Sequence, residues 1–214
     1  MRSNGRDNIG WDTIPAPTSA RKSPASGCEV GQVFVSSIRW NDSPDGPQVL
    51  HCSVPASAEG VSLDLTWDTL GLRATGSQTV VFDDVFVPDA AISLIRPADV
   101  WHPVWNTVMG CAMPLIMAAY LGIADAAAAL AVGACEGRGA PHVFQQLGEM
   151  TNRHLTAQDA VTAMFADSDN LQFANTDALS SRILSRKSVA AAAIIDTVQL
   201  AVEAVGGSAF SRSN

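Results

Sequence analysis

The chain has 214 residues, of which 47% are hydrophobic, and this is enough to build a packed core in one large domain or two small ones. Its formal net charge is −8, and the 13 lysines and arginines are dispersed, which argues against a nucleic-acid partner because phosphate binding needs clustered positive charge. Residues 1–13 contain no apolar run of the kind found in secretory signals, so we expect a cytoplasmic protein.

Cysteines and histidines show no spacing that indicates a metal or redox centre. The four cysteines lie far apart without a C-x-x-C pair, which zinc ribbons and thioredoxin-like motifs require. The four histidines form no H-E-x-x-H or other ligand pattern. The sequence therefore predicts no metal site, and it predicts that the cysteines are buried free thiols.

Residues 25–88 consist of short β-rich runs separated by turn residues. Their β-branched and aromatic content predicts strands at residues 30–40, 48–54, 61–65 and 79–87. Several short strands at this spacing are typical of a small barrel or a sandwich. We expect residues 21–97 to form this β-domain, and residues 1–20, polar and without periodicity, to be a disordered leader.

The segment 67–88, WDTLGLRATGSQTVVFDDVFVP, is the most informative segment of the chain, because several recognisable features follow one another in it. An aromatic residue and a turn lead into a small polar run, and a strand follows that Pro88 stops. Three apolar residues of this strand are predicted to face the core: Val80, Phe82 and Phe86. The adjacent Asp83 and Asp84 are expected to face opposite sides of the strand.

After residue 97 the apolar residues recur at three- and four-residue steps, which predicts three helices, ending at about residues 134, 166 and 205. Pro114 is expected to kink or break the first helix. The inward faces are predicted as follows: Trp101, Trp105, Val108, Ala112, Leu115, Ala119 and Ile123; Val143, Leu147, Met150, His154, Val161 and Phe165; Ile183, Ala190, Ile194, Val198, Ala201 and Val205. We expect residues 98–214 to form an incomplete antiparallel bundle.

This order predicts an α+β protein, a β-barrel or sandwich followed by a helical bundle. Residues 104–124 carry no charged side chain and are long enough to cross a bilayer. Polar residues interrupt the segment and no basic cluster flanks it, so a buried core helix without membrane contact is favoured, with a membrane span as the alternative.

Three motifs carry a resemblance to a known family: RKSPASG at 21–27, the segment 67–88 with its Gly-Leu-Arg and FDDVFVP, and AVEAVGGSAFSRSN at 201–214. Together they resemble the acyl-CoA dehydrogenase family and its flavin-dependent monooxygenase relatives. The resemblance implies a chain that lacks the family's N-terminal helical domain and the end of its bundle. It also implies a homo-oligomer, which an incomplete bundle with an exposed apolar face would favour.

The resemblance implies a flavin, FAD or else FMN, held by Ala25, Ser26, Arg138, Gly206 and Gly207. Flavin N5 and O4 need hydrogen bonds, and a small hydroxyl such as Ser26 after a tight turn can supply one. Two alternatives stay open from the residues alone. Ser26 is also typical of an ordinary turn, and Arg138 is also typical of a residue that interacts with a helix end.

The resemblance further implies that Trp67, Arg73 and Ser77 border the substrate. The first expectation is a flavin-dependent dehydrogenase that oxidises the CH–CH group of an acyl-CoA thioester. One alternative is a monooxygenase that receives reduced flavin from a separate reductase, and another is an inactive remnant or interaction subunit. The sequence identifies no catalytic base; Glu136 and Glu149 are the nearest acidic candidates in the helices.

Overall fold

The structure, a computed structural model, describes residues 18–211 and divides the chain into two compact units, Met1–Val100 and Trp101–Asn214. Within residues 18–100, the first unit has six strands: β1 (Thr18–Lys22), β2 (Val33–Trp40), β3 (Gln48–Pro55), β4 (Val61–Asp64), β5 (Thr79–Val85) and β6 (Ile92–Pro97). Within residues 101–211, the second has three α-helices: α1 (Val104–Ala134), α2 (Pro141–Ser168) and α3 (Asp177–Val205). The predicted α+β class is confirmed.

The six strands form two antiparallel sheets, in the orders β1-β5-β4 and β2-β3-β6. Both sheets contribute to one apolar core, in which Cys52 and Val54 of β3 pack with Val80, Phe82 and Val85 of β5. The rings of Phe34 and Phe82 meet edge to face with centroids 6.3 Å apart. The unit is therefore a sandwich, and no closed barrel is present in the described part of the chain.

The four predicted strands correspond to β2, β3, β4 and β5, whereas β1 and β6 were not predicted. Strand β1 begins at Thr18, so the expectation of disorder is wrong for residues 18–20; the rest of the predicted leader, residues 1–17, lies outside the described residues. Strand β1 is polar, and its pairing with β5 rather than its composition makes it a strand. Strand β6 lies at the end of the predicted β-domain, in residues for which the sequence predicts no strand.

The end of β5 departs from the predicted alternation. Ala20 pairs with Phe82 but Thr18 pairs with Val85, so β5 carries an extra residue in a bulge. Asp84 has φ +57°, and both Asp83 and Asp84 are exposed. Val80 and Phe82 are buried as predicted, whereas Phe86 follows the bulge and is 77% exposed.

Pro114 lies inside α1 without breaking it. Proline has no N–H to donate to the carbonyl four residues earlier, which here belongs to Gly110. The Ser168 hydroxyl donates to that carbonyl at 2.7 Å, so a residue at the end of α2 supplies the hydrogen bond that proline cannot. Of the kink or break predicted at Pro114, the break is wrong, because a neighbouring helix satisfies the freed carbonyl.

The predicted inward face of α1 is wrong, since Leu115 is 63% and Ile123 is 53% exposed. The buried residues of α1 are Asn106, Gly110, Pro114, Met117, Ala124, Ala128 and Ala131. The side chains of α1 are apolar on nearly every face of the helix, so their periodicity does not show which face is buried. The small residues are buried because they permit close packing against α2 and α3.

The face predicted for α3 is confirmed, with Ile183, Ala190, Ile194 and Ala201 buried and Val198 and Val205 packed beside them. In α2, Val143, Met150 and Val161 are buried, but Phe165 is exposed, because Ala157, Ala160 and Met164 occupy the core positions. By length and composition alone, α1 and the segment Asp177–Phe210 could each cross a membrane, a test that core helices of soluble bundles also meet.

Candidate functional site

In the first unit, the turn of residues 21–27 lies directly against the segment 67–88. The backbone N–H of Ala25 donates to the carbonyl of Gln78 at 3.0 Å, and the N–H of Gly27 donates to the carbonyl of Thr75 at 2.8 Å. Gly27 has φ +73°, a conformation that glycine adopts without strain. Two motifs that are separate in sequence therefore form one structural feature, with Ser26 at its exposed tip.

Three hydroxyl groups form a continuous row at this contact. Ser26 Oγ lies 2.8 Å from Ser77 Oγ, and Ser77 Oγ lies 2.7 Å from Thr75 Oγ1. The row ends where the Thr75 hydroxyl donates to the carbonyl oxygen of Leu72 at 2.8 Å. Ser77 is only 4% exposed, whereas Ser26 is exposed. We call Ser26, Ser77 and Thr75 the hydroxyl row; it passes through the buried Ser77 and ends at the carbonyl of Leu72.

Trp67 contacts the same carbonyl group as the hydroxyl row. Its indole Nε1–H donates to the Leu72 oxygen at 3.3 Å, and its backbone N–H donates to Gln78 Oε1 at 2.8 Å. Leu72 has φ +56°, in the left-handed region, and immediately precedes the short 3-10 turn Arg73–Thr75. Trp67, predicted as a substrate residue, and Ser26, predicted as a cofactor residue, thus belong to one hydrogen-bond network.

Arg73, the third residue predicted to border a substrate, takes part in a different contact. Its guanidinium Nη1 donates to the carbonyl of Leu70 at 3.0 Å, and the side chain is exposed. Arg73 and Ser77 flank the same small polar run in sequence, but Ser77 points into the hydroxyl row. The exposed guanidinium leaves Arg73 able to meet an anionic or polar molecule from solvent.

In the second unit, the predicted cofactor residues Arg138, Gly206 and Gly207 also lie together. Arg138 Nη1 donates to the carbonyl of Val205 at 3.0 Å, at the residue where α3 ends. Gly206 follows with φ +78° and ψ −155°, a conformation that is essentially restricted to glycine. Arg138 therefore satisfies a carbonyl at the C-terminus of α3, in agreement with the helix-end alternative, and its exposed guanidinium keeps further N–H donors.

The acidic candidates do not form a comparable site. Glu136 and Glu149 are both exposed, and within residues 18–211 no group of three or more histidine, cysteine or acidic side chains could hold a metal ion. All four cysteines are free, and three of them are buried. Burial raises the pKa of the Cys52 thiol, which keeps it protonated inside the sandwich core.

The signal that sequence reasoning missed is Thr75 together with the carbonyl of Leu72. Thr75 lies in the small polar run, where a threonine is typical of a loop. A backbone carbonyl group cannot be selected from the residue types of a sequence. A pattern of alternating small hydroxyl residues, Thr75 and Ser77, preceded by an indole was present in the sequence. Only the pairing of the 21–27 turn with this segment shows that they act together.

No family model matches the chain. A curated relative, the oxygenase component of an FADH2-dependent resorcinol hydroxylase from Rhizobium sp. (strain MTP-10005), is 31% identical over 128 residues, which are 59% of this chain and 31% of the relative. The dibenzothiophene monooxygenase TdsC from Paenibacillus sp. A11-2, solved with FMN and indole, matches 92% of this chain and 56% of its own at TM-score 0.74 and 21% identity. An acyl-CoA dehydrogenase from Slackia heliotrinireducens DSM 20476 matches 92% and 52% at TM-score 0.72 and 20% identity.

The chain has the acyl-CoA dehydrogenase fold. It spans about half the length of the solved structures with this fold that it matches, and 31% of the curated relative. The predicted resemblance is thereby confirmed, and the names of these proteins include an acyl-CoA dehydrogenase, a monooxygenase solved with FMN and an FADH2-dependent hydroxylase. Within the acyl-CoA dehydrogenase fold, the hydroxyl row lies in the sandwich and the Arg138–Val205 contact lies in the bundle.

Proposed function

We propose that the chain is part of a reduced-flavin-dependent monooxygenase that inserts an oxygen atom into a small aromatic molecule. The observation that carries this proposal is the 31% identity over 128 residues to the oxygenase component of an FADH2-dependent hydroxylase. The structural likeness to a dibenzothiophene monooxygenase supports it as well, through the fold. These comparisons favour the monooxygenase alternative over the expected oxidation of an acyl-CoA thioester.

The two acidic candidates named from the sequence, Glu136 and Glu149, agree with this choice. A dehydrogenase of this fold needs a carboxylate to remove the substrate proton, and such a base is held in a partly buried site that tunes its pKa. Glu136 and Glu149 are both exposed to solvent. A monooxygenase that receives its flavin already reduced makes no such demand on them.

The residues around the 21–27 turn fit a flavin by their hydrogen-bonding chemistry. Ser26 offers an exposed hydroxyl, and within residues 18–211 its backbone N–H has no acceptor. The ring system of a flavin presents a nitrogen beside a carbonyl oxygen. The hydroxyl and the backbone N–H of Ser26 offer one hydrogen-bonding group to each of these two atoms. When bound, reduced flavin supplies two electrons to dioxygen, so that one oxygen atom enters the substrate and the other leaves as water.

We assign the remaining roles by the same resemblance. Ala25 and Ser26 hold the ring of a flavin, and Arg138, Gly206 and Gly207 bind the phosphate-bearing end of a flavin, where the guanidinium of Arg138 suits an anion. Trp67 and Arg73 face the aromatic substrate, and Ser77 orients Ser26. The cofactor is FAD, as in the name of the curated relative, with FMN as the tested alternative.

A separate flavin reductase in the cytoplasm would supply the reduced cofactor, in keeping with a relative that is named as one component of its system. We also propose that the chain works as a homo-oligomer. The exposed face of α1 carries Leu115, Ile116, Tyr120, Ile123 and Leu130, an apolar surface that a second copy would cover. Light scattering of the purified chain, compared with a Leu115→Glu/Ile123→Glu variant, measures this association.

An anaerobic titration tests the flavin proposal. The purified chain is titrated with reduced and oxidised FAD and FMN, and binding is followed by absorbance and fluorescence. Resorcinol, indole and air are then admitted to the reduced complex, and mass spectrometry looks for a product heavier by one oxygen atom. We expect binding of the reduced flavin and a hydroxylated product.

Two results would contradict the proposal. Bleaching of the bound oxidised flavin by an acyl-CoA, without oxygen, would favour the dehydrogenase. Flavin binding without any oxygenated product from a panel of aromatic compounds would favour an inactive remnant or interaction subunit. An Arg138→Met variant tests one residue of the proposed site. Weaker flavin binding in that variant than in the wild-type chain supports a site that includes Arg138.

A further inference from the structure

We propose that the hydroxyl row fixes the proton of Ser26 inward, so that Ser26 Oγ presents only a hydrogen-bond acceptor to its ligand and thereby selects the reduced state of a flavin. The inference rests on the proposed function and makes it more specific. It assigns Thr75 and Ser77 as positioning residues that control the redox state that the site binds, a role distinct from contact with the flavin.

The direction of each hydrogen bond follows from a proton count. A hydroxyl group has one proton, and a carbonyl oxygen can only accept. The Thr75 proton is committed to the Leu72 carbonyl at 2.8 Å, so the 2.7 Å bond between Thr75 and Ser77 must use the Ser77 proton. The 2.8 Å bond between Ser77 and Ser26 must then use the Ser26 proton.

The row ends at the carbonyl of Leu72, which accepts two hydrogen bonds. Leu72 adopts a left-handed conformation at φ +56°, and its carbonyl also accepts from the Trp67 indole at 3.3 Å. Ser77 is buried, so water cannot readily replace Thr75 as its acceptor. Reversal of the row would turn the Ser77 proton toward Ser26, and it would require the Thr75 hydroxyl to give up its hydrogen bond to the Leu72 carbonyl.

The outer end of the row then has a defined chemical preference. Ser26 is exposed, and its oxygen has lone pairs but no proton for an incoming group. Flavin N5 carries a hydrogen in the reduced state and a lone pair in the oxidised state. An acceptor therefore pairs with the N–H of reduced flavin and repels the lone pair of oxidised flavin. A site of this kind binds reduced flavin more tightly than oxidised flavin, as expected of a protein that takes up flavin already reduced.

The test compares the affinities for the two redox states in variants of the row. Thr75→Val keeps the side-chain shape but removes the hydroxyl, which frees the Ser77 proton to turn toward Ser26 and the Ser26 proton to turn outward. Anaerobic titration gives the ratio of the Kd for oxidised FAD to the Kd for reduced FAD. We expect this ratio to fall about tenfold, which lowers the midpoint potential of the bound flavin by about 30 mV for a two-electron couple.

Thr69→Val is the matched control, because Thr69 also donates its hydroxyl to a backbone carbonyl in the same segment, that of Gly71 at 2.6 Å, outside the hydroxyl row. It should leave the ratio unchanged. Ser26→Ala provides a second route if Thr75→Val folds poorly, since it removes the acceptor itself and should also lower the ratio. Circular dichroism establishes that each variant folds.

The inference is overturned if Thr75→Val and Ser26→Ala weaken both redox states equally or leave both unchanged while the wild-type chain binds flavin. Failure of the wild-type chain to bind either redox state defeats the proposed function itself, and the inference with it. The two failures are therefore distinguished by the wild-type titration.

Discussion

Gly110 of α1 lies so close to the ring of Phe173 that a Cβ atom at this position would come within 2.6 Å of Phe173 Cζ. Gly110 is buried, and its carbonyl accepts from the Ser168 hydroxyl in place of the missing N–H of Pro114. The glycine is required by the approach of a neighbouring side chain and not by its own backbone, which is helical. The α1 helix and the segment after α2 are held together at this point.

Gly110→Ala should therefore destabilise the bundle by about 1–3 kcal/mol, because the ring of Phe173 has to move to admit the methyl group. Gly122→Ala, in the same helix with nothing within 4 Å of its Cβ position, is the control and should stabilise the helix by up to about 1 kcal/mol. Urea denaturation followed by circular dichroism measures both. Equal effects in the two variants would contradict the close approach.

The buried amide of Asn106 leads to a second prediction. Its oxygen accepts from the Trp101 indole at 3.0 Å and from the Ser180 hydroxyl at 2.7 Å, and its Nδ2 donates to Asp177 at 2.9 Å. Asn106→Ala takes away the acceptor of the buried Ser180 hydroxyl and should cost about 1–3 kcal/mol of unfolding free energy. Thermal denaturation should show Asn152→Ala, at an exposed position of α2, close to wild type. A loss of the same size in Asn152→Ala would count against the network.

The buried face of a helix could be predicted from the sequence where its apolar residues occupy a single face. The stripe of α3 was correct because its apolar residues occupy one face, opposite charged ones. The stripe of α1 was wrong because most of its side chains are apolar and the choice of face depends on which helix packs against it. Strand β1 was missed for a related reason, since a polar five-residue strand is defined by its partner β5.

Part of the candidate site could likewise be predicted from the sequence, and part could not. Ser26, Ser77 and Trp67 could be selected from the sequence by resemblance, but their link could not, because it passes through the carbonyl of Leu72 and the hydroxyl of Thr75. A backbone group has no residue-type signal, and the 21–27 turn meets the 67–88 segment only in the folded sandwich. The separate roles first assigned to these residues therefore merge into one network.

The ion pair between Arg39 and Asp99 predicts how the sandwich responds to acid. Arg39 donates to both carboxylate oxygens of Asp99, at 2.8 and 2.6 Å, and these hydrogen bonds lower the pKa of Asp99, with the charge of Arg39 adding to the effect. The pair therefore stabilises the folded state above the unfolded pKa of about 4, and this contribution is lost as the pH falls through the lower folded value.

Asp99→Asn should flatten the loss of stability between about pH 5 and pH 3, by a small amount because both side chains are exposed. Chemical denaturation at a series of pH values measures this slope, and added salt should reduce the difference from wild type. Asp42→Asn, an exposed aspartate in the turn after β2, is the comparison. If Asp42→Asn flattens the profile as much as Asp99→Asn, the pair is not its cause.

The end of α3 gives the last prediction. Gly206 has φ +78° and ψ −155°, where any side chain is strained, whereas Gly207 has no such conformation and nothing within 4 Å of its Cβ position. Gly206→Ala should cost about 1–3 kcal/mol, and Gly207→Ala should be close to neutral. The strain should also displace the Val205 carbonyl from Arg138, which lies 3.0 Å away. A double-mutant cycle with Arg138→Met, read by thermal unfolding, should therefore be non-additive with Gly206→Ala and additive with Gly207→Ala. Additivity in both cycles would mean that Arg138 does not depend on the conformation of Gly206.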